Sequence, residues 1–517
     1  MRRVPALRHL LVVALLSAAP AALSAQTAPA TSVVVKAPAG LVRGSEHDGM
    51  RSFLGVPYAK APVGDLRWRP PQPLAAWSGS RDALQFGAQC MQGRRDTTPV
   101  AMSEDCLFLN IWVPAKPRHR HLPVMVWVHG GAFKVGSAGQ PVYDGTSLAR
   151  QGLVVVTLNY RLGKFGFLAH PALTRENPDG PLGNYGLMDV LAVLKWVQAN
   201  IKAFSGDPKQ VTLAGQSAGG AAVYDLMTSP LADGLFSKAI IESGVFSTPT
   251  TTFEKAEQAG AAAAAGWDAG ATDAAALRKL SAATVQGDGP SLAGNFGPMI
   301  DGKVLTEDVT TAFDDGHIAP VPLLIGSNSY EVGFFGDVGK GLSQRLASIW
   351  PKVMDQFDGY GTHKTELVEN QLATDMMLTA PTRTAARAAS VRKAPTFLYY
   401  YSYVRPAQRG RVPGASHMDE VYALFGHMNL MPGADGEQSD SFPVVAAVQE
   451  RWARFIATGT PASKAEPWPA LNLEREHQEL LEFGNDGEFV RADFASARLD
   501  LAAAIPPAAP RATPPSP

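Results

Sequence analysis

Ser217 stands in Ala214-Gly215-Gln216-Ser217-Ala218-Gly219-Gly220, with a glycine two positions to either side. The apolar run Gln210 to Leu213 ahead of it reads as a buried strand, and the Ala-rich run Ala221 to Met227 behind it reads as a helix. A serine on a sharp turn between strand and helix is a nucleophile elbow. The turn strains the serine backbone, needs small neighbours, and aims the positive end of the helix where negative charge would develop. Serine is a weak nucleophile until a base takes its proton, most often a histidine held in one tautomer by a carboxylate. In this arrangement the chain order is serine, acid, histidine, so both partners are sought downstream.

The downstream histidines are His317, His363, His417, His427 and His477. His417 follows an aromatic run, Thr396 to Val404, through a loop containing Pro413 and Gly414, which suits a catalytic loop. His427 follows Phe425-Gly426 and reads as structural, while His317 precedes a buried strand at its wrong end. For the acid, Glu331 lies just past the carboxyl end of the run Val321 to Gly326. Asp301 sits in an Asp-Gly turn, where its role is geometric. Gly130 and Gly131 end the run Pro123 to Val128, and their backbone N–H groups, with that of Ala218, could form an oxyanion hole.

These residues need a frame. Pro123 to Val128, Leu153 to Leu158, Lys238 to Ser243, Val321 to Gly326 and Thr396 to Val404 are nearly unbroken apolar runs, as expected of strands buried on both faces. Tyr185 to Ile201 carries Leu187, Val190, Leu191, Leu194 and Val197 on one helical stripe. Strands alternating with helices predict an α/β protein, its mainly parallel central sheet covered by helices on both faces, with function at the carboxyl ends of the strands. Ser32 to Lys36 and Leu41 to Gly44 read as short strands, and Phe53 to Trp68, interrupted by prolines, reads as an ordered loop. Ala256 to Ala283 reads as surface helices over the sheet.

The first residues have the pattern of an export signal. Arg2, Arg3 and Arg8 precede an apolar stretch, Leu10 to Leu16, too short to span a bilayer, and Ala21 to Ala25 offers small residues for cleavage. This predicts a leader over 1–25, a single catalytic domain over 26–505, and a Pro/Ala-rich disordered tail over 506–517. The mature protein is then periplasmic or secreted, with no stable membrane anchor. In an exported protein the lone pair Cys90 and Cys106 reads as one disulfide, the alternative being two buried thiols. Charge is balanced, 46 Lys and Arg against 47 Asp and Glu, and Arg118 to His121 is only a short basic patch, so no nucleic-acid partner is expected. No His/Cys cluster has metal-ligand spacing, so neither a metal nor a cofactor is expected.

The sequence resembles the type-B carboxylesterase family of α/β-hydrolases along nearly the whole mature chain. The matching stretches are Phe53 to Pro73, Glu104 to Trp112, His129-Gly130-Gly131-Ala132-Phe133, Asn159-Tyr160-Arg161, Gly183 to Asp189, the elbow, Gly326 to Glu331, the loop around His417, and Trp452 to Phe455. The resemblance implies a serine carboxylic-ester hydrolase working through an acyl-enzyme on small-to-medium, uncharged or weakly polar esters. It implies Ser217, Glu331 and His417 as the triad, and Gly130, Gly131 and Ala218 as oxyanion donors. It also implies a Cys90–Cys106 disulfide and an Arg67–Glu104 ion pair. Three departures stand out. Many members carry an acid where this chain has Gln216, and the usual Asp-Glu-Gly at the acid reads Tyr330-Glu331-Val332. The stretch Met91 to Asp105 lacks the aromatic residue with which cholinesterases hold a choline cation. Pocket walls are expected from Gly333-Phe334-Phe335 and from the Ala-rich segment. The rival readings are a non-catalytic recognition protein on the same fold, whose relatives lack the nucleophile, and an amide or thioester hydrolase.

Overall fold

The computed structural model describes residues 31–506, apart from 94–99, 118, 181, 248, 268–272, 288–295, 337, 359–360, 362, 393, 435–437, 439–441 and 476–477. The leader, the tail beyond Pro506, Arg118 and His477 lie outside the described residues. Among the described residues a thirteen-stranded sheet organises the chain. Its strands are β1 (Thr31–Ala37), β2 (Gly40–His47), β3 (Met50–Pro57), β4 (Ser80–Asp82), β5 (Phe108–Pro114), β6 (Leu122–Val128) and β7 (Val154–Leu158). They continue as β8 (Gly206–Gln216), β9 (Lys238–Glu242), β10 (Leu323–Asn328), β11 (Thr396–Tyr401), β12 (Glu479–Gly484) and β13 (Gly487–Ala492). The spatial order is β1-β2-β3-β5-β7-β6-β8-β9-β10-β11-β12-β13, with β4 beside β2. From β7 to β12 neighbouring strands are parallel, and the pairs flanking them are antiparallel.

Side chains alternate across the parallel strands and feed two cores. On β6, Val124, Val126 and Val128 point to one core, and Met125 and Trp127 to the other. The first core is covered by α1 (Tyr185–Asn200) and α2 (Ala218–Met227), through residues such as Val190, Leu194 and Leu226. The surface helices α3 (Phe253–Ala265), α4 (Ala274–Lys279) and α5 (Ala282–Gln286) add to the same side, and the side chains of Thr252, Asp273 and Ser281 cap their starts. The second core is covered by α6 (Asp419–Phe425) and α7 (Pro443–Thr458), through Leu424, Phe425, Val448 and Trp452. The layers are those expected of an α/β chain with a covered, mainly parallel sheet.

One expected loop is partly a strand. Phe53 to Pro57 belongs to β3, where Phe53 lies opposite Ile111 of β5 and the register shifts before Val56. Prolines bar a helix, but Pro57 merely closes the strand, and buried Phe53 and Val56 fill the first core. Cys90 and Cys106 form a disulfide 16 residues apart in sequence. The Arg67 guanidinium meets Glu104 with an Nε–Oε2 distance of 2.6 Å, both groups mostly buried.

Candidate active site

The carboxyl ends of four parallel strands converge on one cavity. β8 ends at Gln216, and Ser217 follows with φ 56° and ψ −126°, ahead of the first turn of α2. This is the strain expected of the elbow. The helix leaves so close to the sheet that a Cβ on Gly219 would lie 2.0 Å from the carbonyl oxygen of Val128, so only glycine fits. The Ser217 N–H donates to the carbonyl of Glu242, at the end of β9, over 2.8 Å.

Glu331 opens a short turn directly after β10. Its Oε1 accepts the backbone N–H of Asn328 and the hydroxyl of Ser243, each at 2.7 Å. Its Oε2 lies 2.6 Å from Nδ1 of His417, whose Nε2 lies 2.7 Å from Oγ of Ser217. Acid, imidazole and hydroxyl therefore form one hydrogen-bonded line, with His417 1% exposed and Glu331 fully buried. The His417 loop is tied down on both sides. Tyr330 donates its N–H to Ala415 O, and Ala415 N–H reaches Ser329 Oγ, each over 2.8 Å. The side-chain amide of Asn328 donates to Ser416 O at 2.7 Å.

Gln216 has a structural reason to be neutral: its side-chain amide donates to the carbonyl of His417. A carboxylate in its place has no proton to give. Ser243, with φ 47°, is a second strained residue beside the elbow, and its hydroxyl is aimed at Glu331. Sequence reasoning passed over Ser243, Asn328 and Glu420. Their side-chain contacts join strand ends and loops dozens of residues apart, and no local motif marks them.

The other candidates lie elsewhere. His317 is an exposed partner of Glu307, at 2.8 Å, and His363 is exposed. His427 places Nε2 3.1 Å from the carbonyl of Asp144. Asp301 Oδ1 accepts the backbone N–H groups of Lys303, Val304 and Leu305, as a turn-forming aspartate does.

After β6 the chain passes Gly130 and Gly131. Gly131 has φ 112°, and a Cβ there would lie 1.9 Å from Val135 O. Ala132, with φ 55°, also lines the cavity, though sequence reasoning did not single it out. The N–H groups of Gly131, Ala132 and Ala218 donate to no protein group among the described residues, whereas the Gly130 N–H, expected as a donor from the sequence, is taken up by the Tyr143 hydroxyl. His129 is buried beneath them, stacked on Tyr160 with ring centroids 4.6 Å apart, and burial lowers its pKa to about 4. It is a neutral prop at working pH.

The cavity above Ser217 measures about 610 Å³. Phe334 and Phe335 form one wall beside the His417 ring, with centroids 5.5 and 4.7 Å away. Gln92, Val142, Tyr143 and Leu430 stand around the rest, and no Asp, Glu, Lys or Arg lines it among the described residues. The expectation for Gly333-Phe334-Phe335 holds for the two rings. The expectation for the Ala-rich segment does not. Its buried residues Ala256, Ala264, Ala274 and Leu277 pack into the first core, and Trp267 stacks on Trp68. Amphipathic composition predicted a covering helix but not which surface it covers.

Residues 31–346 and 352–501 match the family model described as the carboxylesterase family. Over 476 residues the chain is 36% identical to fumonisin B1 esterase of Sphingopyxis macrogoltabida, covering 86% of this chain and 85% of that protein. It is 34% identical over 490 residues to para-nitrobenzyl esterase of Bacillus subtilis (strain 168), covering 87% and 95%. A solved PNB esterase structure superposes with a TM-score of 0.76 at 32% identity, covering 91% of this chain and 100% of that one.

Proposed function

Because this chain belongs to the carboxylesterase family and is a carboxylesterase on the α/β-hydrolase fold, we propose that it cleaves its esters through an acyl-enzyme on Ser217. The observation that carries this reading is the unbroken line from Glu331 through His417 to Ser217, with contacts of 2.6 and 2.7 Å. His417 Nε2 takes the Ser217 proton as Oγ bonds to the ester carbonyl carbon, and the carbonyl oxygen becomes an oxyanion. Free N–H groups of Gly131 and Ala218, joined by Ala132, receive it; in comparable sites one donor contributes about 3 kcal/mol to lowering the barrier. The imidazolium, steadied by Glu331 at Nδ1, gives its proton to the leaving alcohol. Water then repeats the sequence and frees the acid. No metal or organic cofactor takes part.

The uncharged lining supports small-to-medium, uncharged or weakly polar esters as substrates. A charged acyl or alcohol group would enter the cavity without a counter-charge, which is costly. The leader over 1–25 and the Cys90–Cys106 disulfide support a periplasmic or secreted location, with one catalytic domain over 26–505. Among the described residues no helix is long and apolar enough to cross a membrane.

The test is labelling with a fluorophosphonate together with turnover of a p-nitrophenyl ester. Label is expected on Ser217. Ser217→Ala is expected to lose both label and turnover, the latter by orders of magnitude, with an unchanged melting curve. A recognition module would take no label. An amide or thioester hydrolase would prefer those substrates over matched acyl esters. A Ser217→Ala enzyme with wild-type turnover overturns the assignment.

A further inference from the structure

Behind the line of Glu331, His417 and Ser217 lie two carboxyls that this mechanism does not use. Glu242 ends β9, and Glu420 sits on α6, three residues past His417. They are 0% and 1% exposed. Each is held at one oxygen: the Trp452 indole donates to Glu242 Oε1 over 2.7 Å, and the Asn328 amide donates to Glu420 Oε2. Glu242 Oε2 and Glu420 Oε1 have no partner among the described residues, nor do the Tyr399 hydroxyl and Asn328 Oδ1. Buried polar atoms left in this way point to a proton or an ordered water that they share.

Among the described residues, the charged and titratable groups around the pair supply no compensating cation. Glu331 follows β10, Asp419 lies on α6, and Tyr143, Tyr399 and Tyr401 face the same space. Arg405 acts on Asp419. Two bare carboxylates here would be neighbouring buried anions, which is strongly unfavourable. Burial accordingly pushes Glu242 up to about 8, and pushes Glu420 well above the carboxylate range, with Glu242 adding to the rise.

The pair also touches the catalytic line. The Glu242 carbonyl holds the Ser217 N–H. Asn328 gives its backbone N–H to Glu331, and its amide spans Ser416 O and Glu420. We propose that Glu242 and Glu420 are positioning residues that keep at least one proton between them through the neutral range, fixing Asn328, Glu331 and the His417 loop without setting a dianion beside the imidazole. This inference rests on the proposed roles of Ser217, Glu331 and His417.

The acidic limb of kcat/KM reports the imidazole, and infrared difference spectra report the carboxyl proton. At neutral pH the wild-type enzyme is expected to show the C=O band of a buried carboxylic acid, lost or displaced in Glu420→Gln or Glu242→Gln. The acidic limb is expected to stay within about 0.3 pH units in both variants, since a neutral amide replaces no net charge. Glu420→Leu removes the acceptor for Asn328. It is expected to lower kcat about tenfold with KM unchanged, and Gln at 420 to restore it within about threefold. The proposal is overturned if the wild type lacks the band, or if either Gln variant lowers the acidic limb by about one unit, as losing an anion near the imidazolium would. It is also overturned if the Leu and Gln variants have equal kcat. Should Glu420→Leu not fold, the two Gln variants carry the test. Full turnover by Ser217→Ala would sink the site assignment while leaving the infrared band in place, so the two failures are distinguishable.

Discussion

Gln216 is a single uncharged amide whose proton goes to the His417 carbonyl. Glutamate there would lose that donor and set a negative charge close to the imidazole. An added anion favours the imidazolium, so Gln216→Glu is expected to move the acidic limb of kcat/KM upward by about half a unit to one unit. A pH–rate profile of the variant checks this, and an unmoved limb would show that the buried glutamate keeps its proton and adds no charge beside His417. Asp225, on α2, gives the opposite lesson. It is buried, and desolvation, helped by Asp308, lifts its pKa from 3.8 to about 8. Between those values the folded protein holds a proton that the unfolded chain has released. Stability therefore falls as pH rises through that window and levels off above it. Asn cannot ionise, so Asp225→Asn is expected to melt about 3 °C or more above wild type at pH 8, with the gap closing near pH 4. Melting curves at the two pH values decide it.

Among the elements, β7 and α1 are joined by a buried ion pair. Arg161, just past β7, donates Nε and Nη2 to the two carboxylate oxygens of Asp189 on α1, each over 2.8 Å, and its backbone N–H adds a bond of 3.0 Å. Nη1 reaches the carbonyl of Arg69 over 2.9 Å, so the same fork pins the N-terminal loop. Asp189→Asn leaves the guanidinium buried without its counter-charge and is expected to cost about 3–5 kcal/mol, read from the urea midpoint. The strands and α1 were legible in the sequence because burial on both faces, or on one helical stripe, leaves a periodic record. β12 and β13 were not. They lie at the sheet edge, and their runs mix apolar residues with Glu479, Glu482, Glu488 and Arg491, which pair among themselves or with Arg475 and Arg451. The site divides in the same way. Ser217, Glu331 and His417 each follow a readable strand, so their neighbourhood could be named. Ser243 meets Glu331 across 88 residues and Asn328 meets Glu420 across 92, and no local pattern carries such a meeting.

For the whole molecule, the disulfide joins the outer N-terminal region to the reactive centre. Cys90 and Cys106 close their loop beside Gln92. Gln92 donates to the carbonyls of Cys90, at 3.1 Å, and Gly136, at 2.9 Å, and accepts the Gly136 N–H at 2.8 Å. Gly136 lies on the segment that carries Gly130 and Gly131, and both Gln92 and Gly136 line the cavity. Opening the bridge should therefore do two separable things. It frees a loop in the unfolded chain, which removes about 3 kcal/mol of stability by the chain-entropy estimate. It also loosens Gln92, and with it a wall that holds the substrate rather than the groups that react with it. The Cys90→Ser/Cys106→Ser enzyme is expected to melt several degrees lower and, well below that temperature, to show KM raised about threefold to tenfold with kcat little changed. A fall in kcat at constant KM would mean that the loosening reaches the oxyanion donors instead. Unchanged kinetics with a lowered melting point would make the bridge a staple with no hand in binding.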